Sequence, residues 1–159
     1  MDESAFRRAR DAMAPRPCAF EKAMLAGACA CPLSERRNIA EREAVTCNLP
    51  SAQAECAALR SLLRQKSAFA LKLTHVEGPL PHAKEMKVEC GGLQGMLQAA
   101  ALHADTSASA AEQELAALTD VHRLVQTCAG KFGGLANLPY SVIVQSVVAY
   151  QIRRRRPEK

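Results

Sequence analysis

At 159 residues, with 48% hydrophobic and 23% charged residues, the chain has the composition of one ordinary domain, long enough to bury a core without a metal or disulfide staple. Aromatic residues make up only 4% and Trp is absent, which argues against recognition of nucleic acid by base stacking. The net charge of +5 resides in the tail: without residues 153–159 the body carries +1, so no broad basic face is implied.

Residues 1–14 suit a short, arginine-rich amphipathic helix, closed by Pro15-Arg16-Pro17. Pro17 fits the first turn of a second helix over 18–27, with Phe20, Ala23, Met24 and Gly27 along one face. Gly27 and Cys29-Ala30-Cys31-Pro32 interrupt that pattern. Ser34 then reads as an N-cap for a charged helix over 35–46, in which Arg37 and Glu41 stand at i, i+4. Asn48-Leu49-Pro50-Ser51 is a turn opening a third helix, along which Leu59, Leu62, Leu63 and Phe69 keep the helical spacing.

Residues 74–81, THVEGPLP, form the clearest linker. The helix after it carries Met86, Cys90, Leu93, Leu97 and Ala100 as a core stripe. Its Gly91, Gly92 and Gly95 each cost on the order of 1 kcal/mol relative to alanine. Three at one place predict close approach of another backbone or of a cofactor. Ser109-Ala110-Ala111-Glu112 matches a capping box for a helix bearing Leu115, Leu118, Val121, Val125, Cys128 and Phe132, bent near Thr119-Asp120 and ended by Gly133-Gly134. The last segment, 140–152, is rich in Val and Ile, yet Tyr140, Ile143, Val144, Val147 and Val148 repeat with helical spacing. The expected architecture is all-α: a single-domain bundle of about five to six helices over 1–159 with a cysteine-rich N-terminal helical hairpin. The arginine-rich ends, 1–16 and 153–159, are expected to be flexible.

No apolar run approaches the roughly 20 residues needed to span a bilayer, and MDESAFRRAR lacks the apolar core of a secretory signal. The expected compartment is the cytoplasm, where thiols stay reduced. Seven cysteines, an odd number, also argue against a disulfide framework.

Five of those seven, Cys18, Cys29, Cys31, Cys47 and Cys56, fall within forty residues of one another. Cys90 and Cys128 lie on apolar stripes, where free cysteine packs as a small hydrophobe, and Cys56 sits three residues before Leu59. Cys18, Cys29, Cys31 and Cys47 fall at helix ends or in loops, where side chains can converge and backbone N–H groups are free to bond thiolate sulfur. The candidate metal ligands are therefore Cys18, Cys29, Cys31, Cys47 and Cys56, with Cys90 as an outlying member. Regular zinc signatures and the C-x2-C-x2-C ferredoxin spacing are both missing. An iron–sulfur cluster is the first choice of cofactor because it tolerates irregular ligand spacing, and zinc is the second. Among the histidines, His82 at a helix start is the one best placed to face the cysteine loop.

In a helical hairpin, Cys29 and Cys31 would occupy the loop while Cys18 and Cys47 met at the open end. Ten residues of helix put roughly 15 Å between the two groups. One shared four-cysteine site therefore requires the first helix to break near Ala26-Gly27, which Gly27 and Pro32 favour.

No G-x-S-x-G, H-E-x-x-H, phosphate-binding loop or pair of catalytic carboxylates stands out, so enzymatic activity has no sequence support. The expected function is that of a small metal protein in electron transfer, redox sensing or cluster delivery with a protein partner. The competing reading is a metal-free or structural-zinc helical adaptor that binds a partner protein or nucleic acid through its arginine-rich ends, 1–16 and 153–159, nucleic acid being the less favoured and placed on Arg153, Arg154, Arg155 and Arg156.

Overall fold

The computed structural model describes residues 2–102 and 120–152. His103, the capping box at Ser109 and the four tail arginines lie outside the described residues. No helix among the described residues is long and apolar enough to cross a membrane.

Helix α1, Glu3–Met13, starts at Asp2, whose side chain accepts the Ala5 amide at 2.6 Å. It lies against a β-hairpin instead of extending into solvent: Phe6 and Ala9 pack on buried Ala14, Ile39 and Ala44. Helix α2 is short, Glu21–Leu25, and Gly27 at φ +76° turns the chain away just after it. The break expected near Ala26-Gly27 is present, and the helix begins later than position 18.

The sequence predicted a helix over 35–46, and here the structure overturns the all-α expectation. These residues form antiparallel strands β1, Ser34–Ile39, and β2, Arg42–Cys47, joined through Ala40 and Glu41. The reason is two-sided burial. Ile39 and Ala44 lie on the face covered by α1, while Val45 lies on the opposite face, in the main core. A charged helix would have offered a single narrow apolar edge, whereas strands send alternate side chains to both faces. The ion pairs follow the new register. Arg36 meets Glu43 across the strands at 3.1 Å, and Arg37 meets Glu35 at 3.0 Å in place of Glu41. Residues 16–18 add a further rung beside β2, through a bridge of Pro17 to Thr46 and bonds from Cys18 N to Val45 O and from Cys47 N to Arg16 O.

Helix α3, Pro50–Ser67, begins with proline in its first turn and buries Leu59 and Leu63. Phe69 lies beyond its end and is 97% exposed, so it is no part of the stripe expected for it. After the irregular linker, α4 (His82–Met86), a π-helical turn (Lys87–Gly91) and α5 (Gly92–Leu102) follow without interruption. Helix α6, Val121–Phe132, starts afresh at Asp120, which caps the Arg123 amide, and ends at Gly133 in the left-handed conformation. Helix α7, Tyr140–Ala149, settles the helical reading of the Val/Ile-rich segment.

The glycines of the π-turn and α5 are where α7 comes closest. A Cβ on Gly91 would lie 2.6 Å from Val147 Cα, and one on Gly95 2.9 Å from Ile143 Cα. Backbone approach of this kind is what the glycine cluster predicted, and the neighbour is a helix. Gly92 faces Leu63 of α3 instead.

Candidate functional site

The break at Gly27 and the hairpin register assemble four cysteines from four different places. The Pro17–Thr46 bridge sets Cys18 beside the end of β2. Ser34, opposite Cys47 in the register, closes a turn back to Cys31 through both its amide (3.1 Å) and its hydroxyl (2.7 Å), each donating to Cys31 O. Ser34 was expected as a helix cap; its work is to fix this turn. Cys56 comes from the second turn of α3. Cys18, Cys31, Cys47 and Cys56 all line one cavity, with Phe20, Met24, Leu33 and Val121 among its apolar walls.

Cys29 and Cys90 are placed elsewhere. Both are buried and share a separate cavity with Leu93 and Leu124. Cys128 is fully buried, its thiol directed at Met96 O (3.7 Å), as a packing residue is. His82 is exposed and lines neither cavity. The histidine that lines the thiol cavity is His122, in the first turn of α6. A hydrogen bond donated by the Val121 amide to Ala30 O (2.8 Å) ties that turn to the C-x-C loop. Its distance from the cysteines in sequence left no local sign of this.

Cys18 and Cys56 are held as thiols. Burial pushes Cys18 up to about 12, against the opposing effect of the Phe20 amide, which donates toward its sulfur; Cys31 and Cys47 raise it further. Burial likewise pushes Cys56 up to about 12, and Cys18, Cys31 and Cys47 add to the rise. Cys29 is also raised by burial and, next, by Cys90. Loss of a proton at Cys18 or Cys56 would thus be resisted by the neighbouring thiols, and a cation among them would reverse that resistance. Their existing partners are weak: Cys18 Sγ faces Met24 Sδ at 4.0 Å, and Cys47 Sγ faces Leu49 O at 3.4 Å. The cavity measures about 20 Å³, room for a single water. Among the described residues, no three His, Cys, Asp or Glu side chains are grouped as one metal ion would require.

On the other side of Cys18 lies a charged arrangement that sequence reading did not single out. Glu85 and Glu89 are 3% and 2% exposed and stand four residues apart on α4 and the π-turn. Arg64 Nη2 donates to Glu85 Oε2 at 2.6 Å, and Ala23 N donates to Glu89 Oε1 at 3.1 Å. Glu89 is pushed up to about 8, first by burial, then by its hydrogen bond to Glu85 and the Glu85 charge; the Ala23 amide and Arg60 act in the opposite direction. The available signal was helical phase: positions 85 and 89 fall beside Met86 and Cys90, on the inward face of an apolar stripe.

No protein-family model, curated protein or solved structure matches this chain.

Proposed function

We propose that the chain carries an iron–sulfur cluster on Cys18, Cys31, Cys47 and Cys56 and serves in electron transfer, redox sensing or cluster delivery with a protein partner. The observation that carries this reading is the assembly of these four thiols around one largely apolar cavity. A [4Fe–4S] cluster takes four thiolates, each bonded to its own iron, and a [2Fe–2S] cluster takes two on each iron, so the sulfurs surround a volume and do not have to meet at a point. Structural zinc makes the stricter demand, four donors around a single ion, and the side chains are not grouped in that way. The Phe20 amide, directed at Cys18, is the kind of N–H donor that supports a ligating sulfur.

A cluster is larger than the water-sized space between the thiols, so loading displaces a wall. Met24 is the side chain suited to give way, being flexible and tied to Cys18 only by a 4.0 Å sulfur contact.

The test is purification without oxygen, followed by visible absorption and assays of iron, acid-labile sulfide and zinc. The expected protein is brown and contains both iron and sulfide. Cys18→Ser, Cys31→Ser, Cys47→Ser and Cys56→Ser lose them, while Cys29→Ser, Cys90→Ser and Cys128→Ser keep them. Zinc at one per chain with the same cysteine dependence would assign a structural zinc site. A colourless protein that takes up neither metal on reconstitution would overturn the proposal in favour of a metal-free adaptor.

A further inference from the structure

We infer that the charged cleft beyond Cys18 is a binding site for a small oxyanion of carboxylate or phosphate type. The cleft measures about 290 Å³, far more than a structural water needs. Its walls bring four cations, Arg10, Lys22, Arg60 and Arg64, against three acids, Glu21, Glu85 and Glu89.

Pairing accounts for only part of this charge. Arg10 is committed to Glu21 at 2.7 Å, and the other Glu21 oxygen accepts the Val45 amide at 2.9 Å. Arg64 is committed to Glu85, and its second terminal nitrogen donates to Val76 O and Gly78 O at 3.1 and 2.9 Å. Glu89 is occupied by the Ala23 amide and by Glu85. Among the described residues, neither Lys22 nor Arg60 has a carboxylate within ion-pair distance. Arg60 makes one long bond, 3.3 Å to Ala19 O, leaving the rest of its guanidinium donors for something else.

A second observation points the same way. Arg64 is only 8% exposed, yet among the described residues its Nε donor has no acceptor. A buried donor left without an acceptor is costly, and such groups are normally matched by water, ion or ligand. Glu85 Oε1 beside it likewise has no donor among the described residues, so the guanidinium open to the cleft is that of Arg60, whose parallel donors carboxylate and phosphate oxygens can take together. Glu85 in the wall would repel a large polyanion, which restricts the class to small ions held toward Lys22 and Arg60. Cys18 lines this cleft as well as the thiol cavity, so an anion bound here would stand one side chain from the proposed cluster. The inference rests on other residues and holds whether or not a metal is present.

The experiment is calorimetric titration of the full chain with inorganic phosphate and, separately, malonate at low ionic strength. One saturable site is expected for at least one of the two anions. Lys22→Gln and Arg60→Gln should each weaken it about tenfold or more, the loss of a hydrogen bond to a charged group. Arg8→Gln and Arg123→Gln, exposed cations away from the cleft, should leave it unchanged. Circular dichroism melts establish that each variant is folded. Absence of saturable binding for both anions would overturn the inference, as would equal weakening by all four substitutions, which would mark simple charge screening.

Discussion

Two regions of this molecule keep side-chain volume small for opposite reasons. Where α5 and the π-turn meet α7, glycine removes side-chain volume so that backbones touch; a methyl group at Gly91 or Gly95 has nowhere to go. Around Cys18, Cys31, Cys47 and Cys56, small polarizable side chains leave a space and bind one another weakly. The first region has the density of a protein interior, in which each added atom must displace another. The second is underfilled and poor in strong partners. Close packing and open space thus occupy separate parts of one core.

The largest effects should come from filling the closed region. Gly91→Val and Gly95→Val place atoms inside contact distance of α7 backbone, which cannot move aside as a side-chain tip does. Destabilisation at or above the upper end of the roughly 1–3 kcal/mol usual for overpacking is expected in denaturant titrations. Gly92→Ala is the internal control. Its methyl meets Leu63 Cδ1 at 2.8 Å, a flexible end, so it should cost less than Gly91→Ala. Equal costs at the two positions would show that the α7 contact is not what demands glycine.

The complementary experiment is performed on the open region. Serine at Cys18, Cys31, Cys47 or Cys56 should abolish iron binding while shifting the metal-free unfolding midpoint only slightly. If a serine variant at Cys31 or Cys56 melted as early as Gly91→Val, the cavity would be load-supporting core, and the contrast between the regions would fail.

Glu89 supplies a test by pH. Its carboxyl is raised from the ordinary 4.5 to about 8, so the folded chain holds a proton that the unfolded chain releases between those values. Stability attributable to Glu89 is therefore complete below about pH 4.5 and is lost as pH rises toward 8. Unfolding midpoints across this window should fall with pH in the parent, and fall less steeply in Glu89→Gln. The Ala23 amide and the Arg60 charge favour the ionised form and so already limit the rise. A parallel pH slope in the variant would assign the dependence to other groups.

What was readable in advance follows the range of the forces involved. Apolar stripes announced α3, α5, α6 and α7, and the glycines announced a close helix contact, because period and volume are written locally. Gly27 with Pro32 announced the break that permits one four-cysteine cavity. The hairpin was hidden. Its turn uses Ala40 at φ 55° and Glu41, with neither the glycine nor the asparagine that marks a two-residue turn. Its strands look like a charged helix until α1 is known to cover one face. Cys47 reaches the cavity by strand register, His122 by the docking of α6 on the C-x-C loop, and Arg64 reaches Glu85 from a different helix. None of these pairings leaves a periodic signal. Phe69 shows the converse error: it continues the Leu59–Leu62–Leu63 spacing on paper, but the helix has ended by Ser67.

The finest effect concerns His122, the one cavity residue able to donate from an imidazole. It is half-buried at the start of α6 and lines the space shared by the four thiols. A donor to a cluster or thiolate sulfur stabilises the reduced, more negative state, and hydrogen bonds of this kind are among the features that set cluster potentials. His122→Ala should therefore keep its iron, retain the parent unfolding midpoint without metal and lower the reduction potential measured by spectroelectrochemical titration. Loss of iron as complete as in the serine variants would make His122 a ligand and release one cysteine from that role. An unchanged potential would leave it as wall, beside the other polar lining residues Ser34 and Gln53.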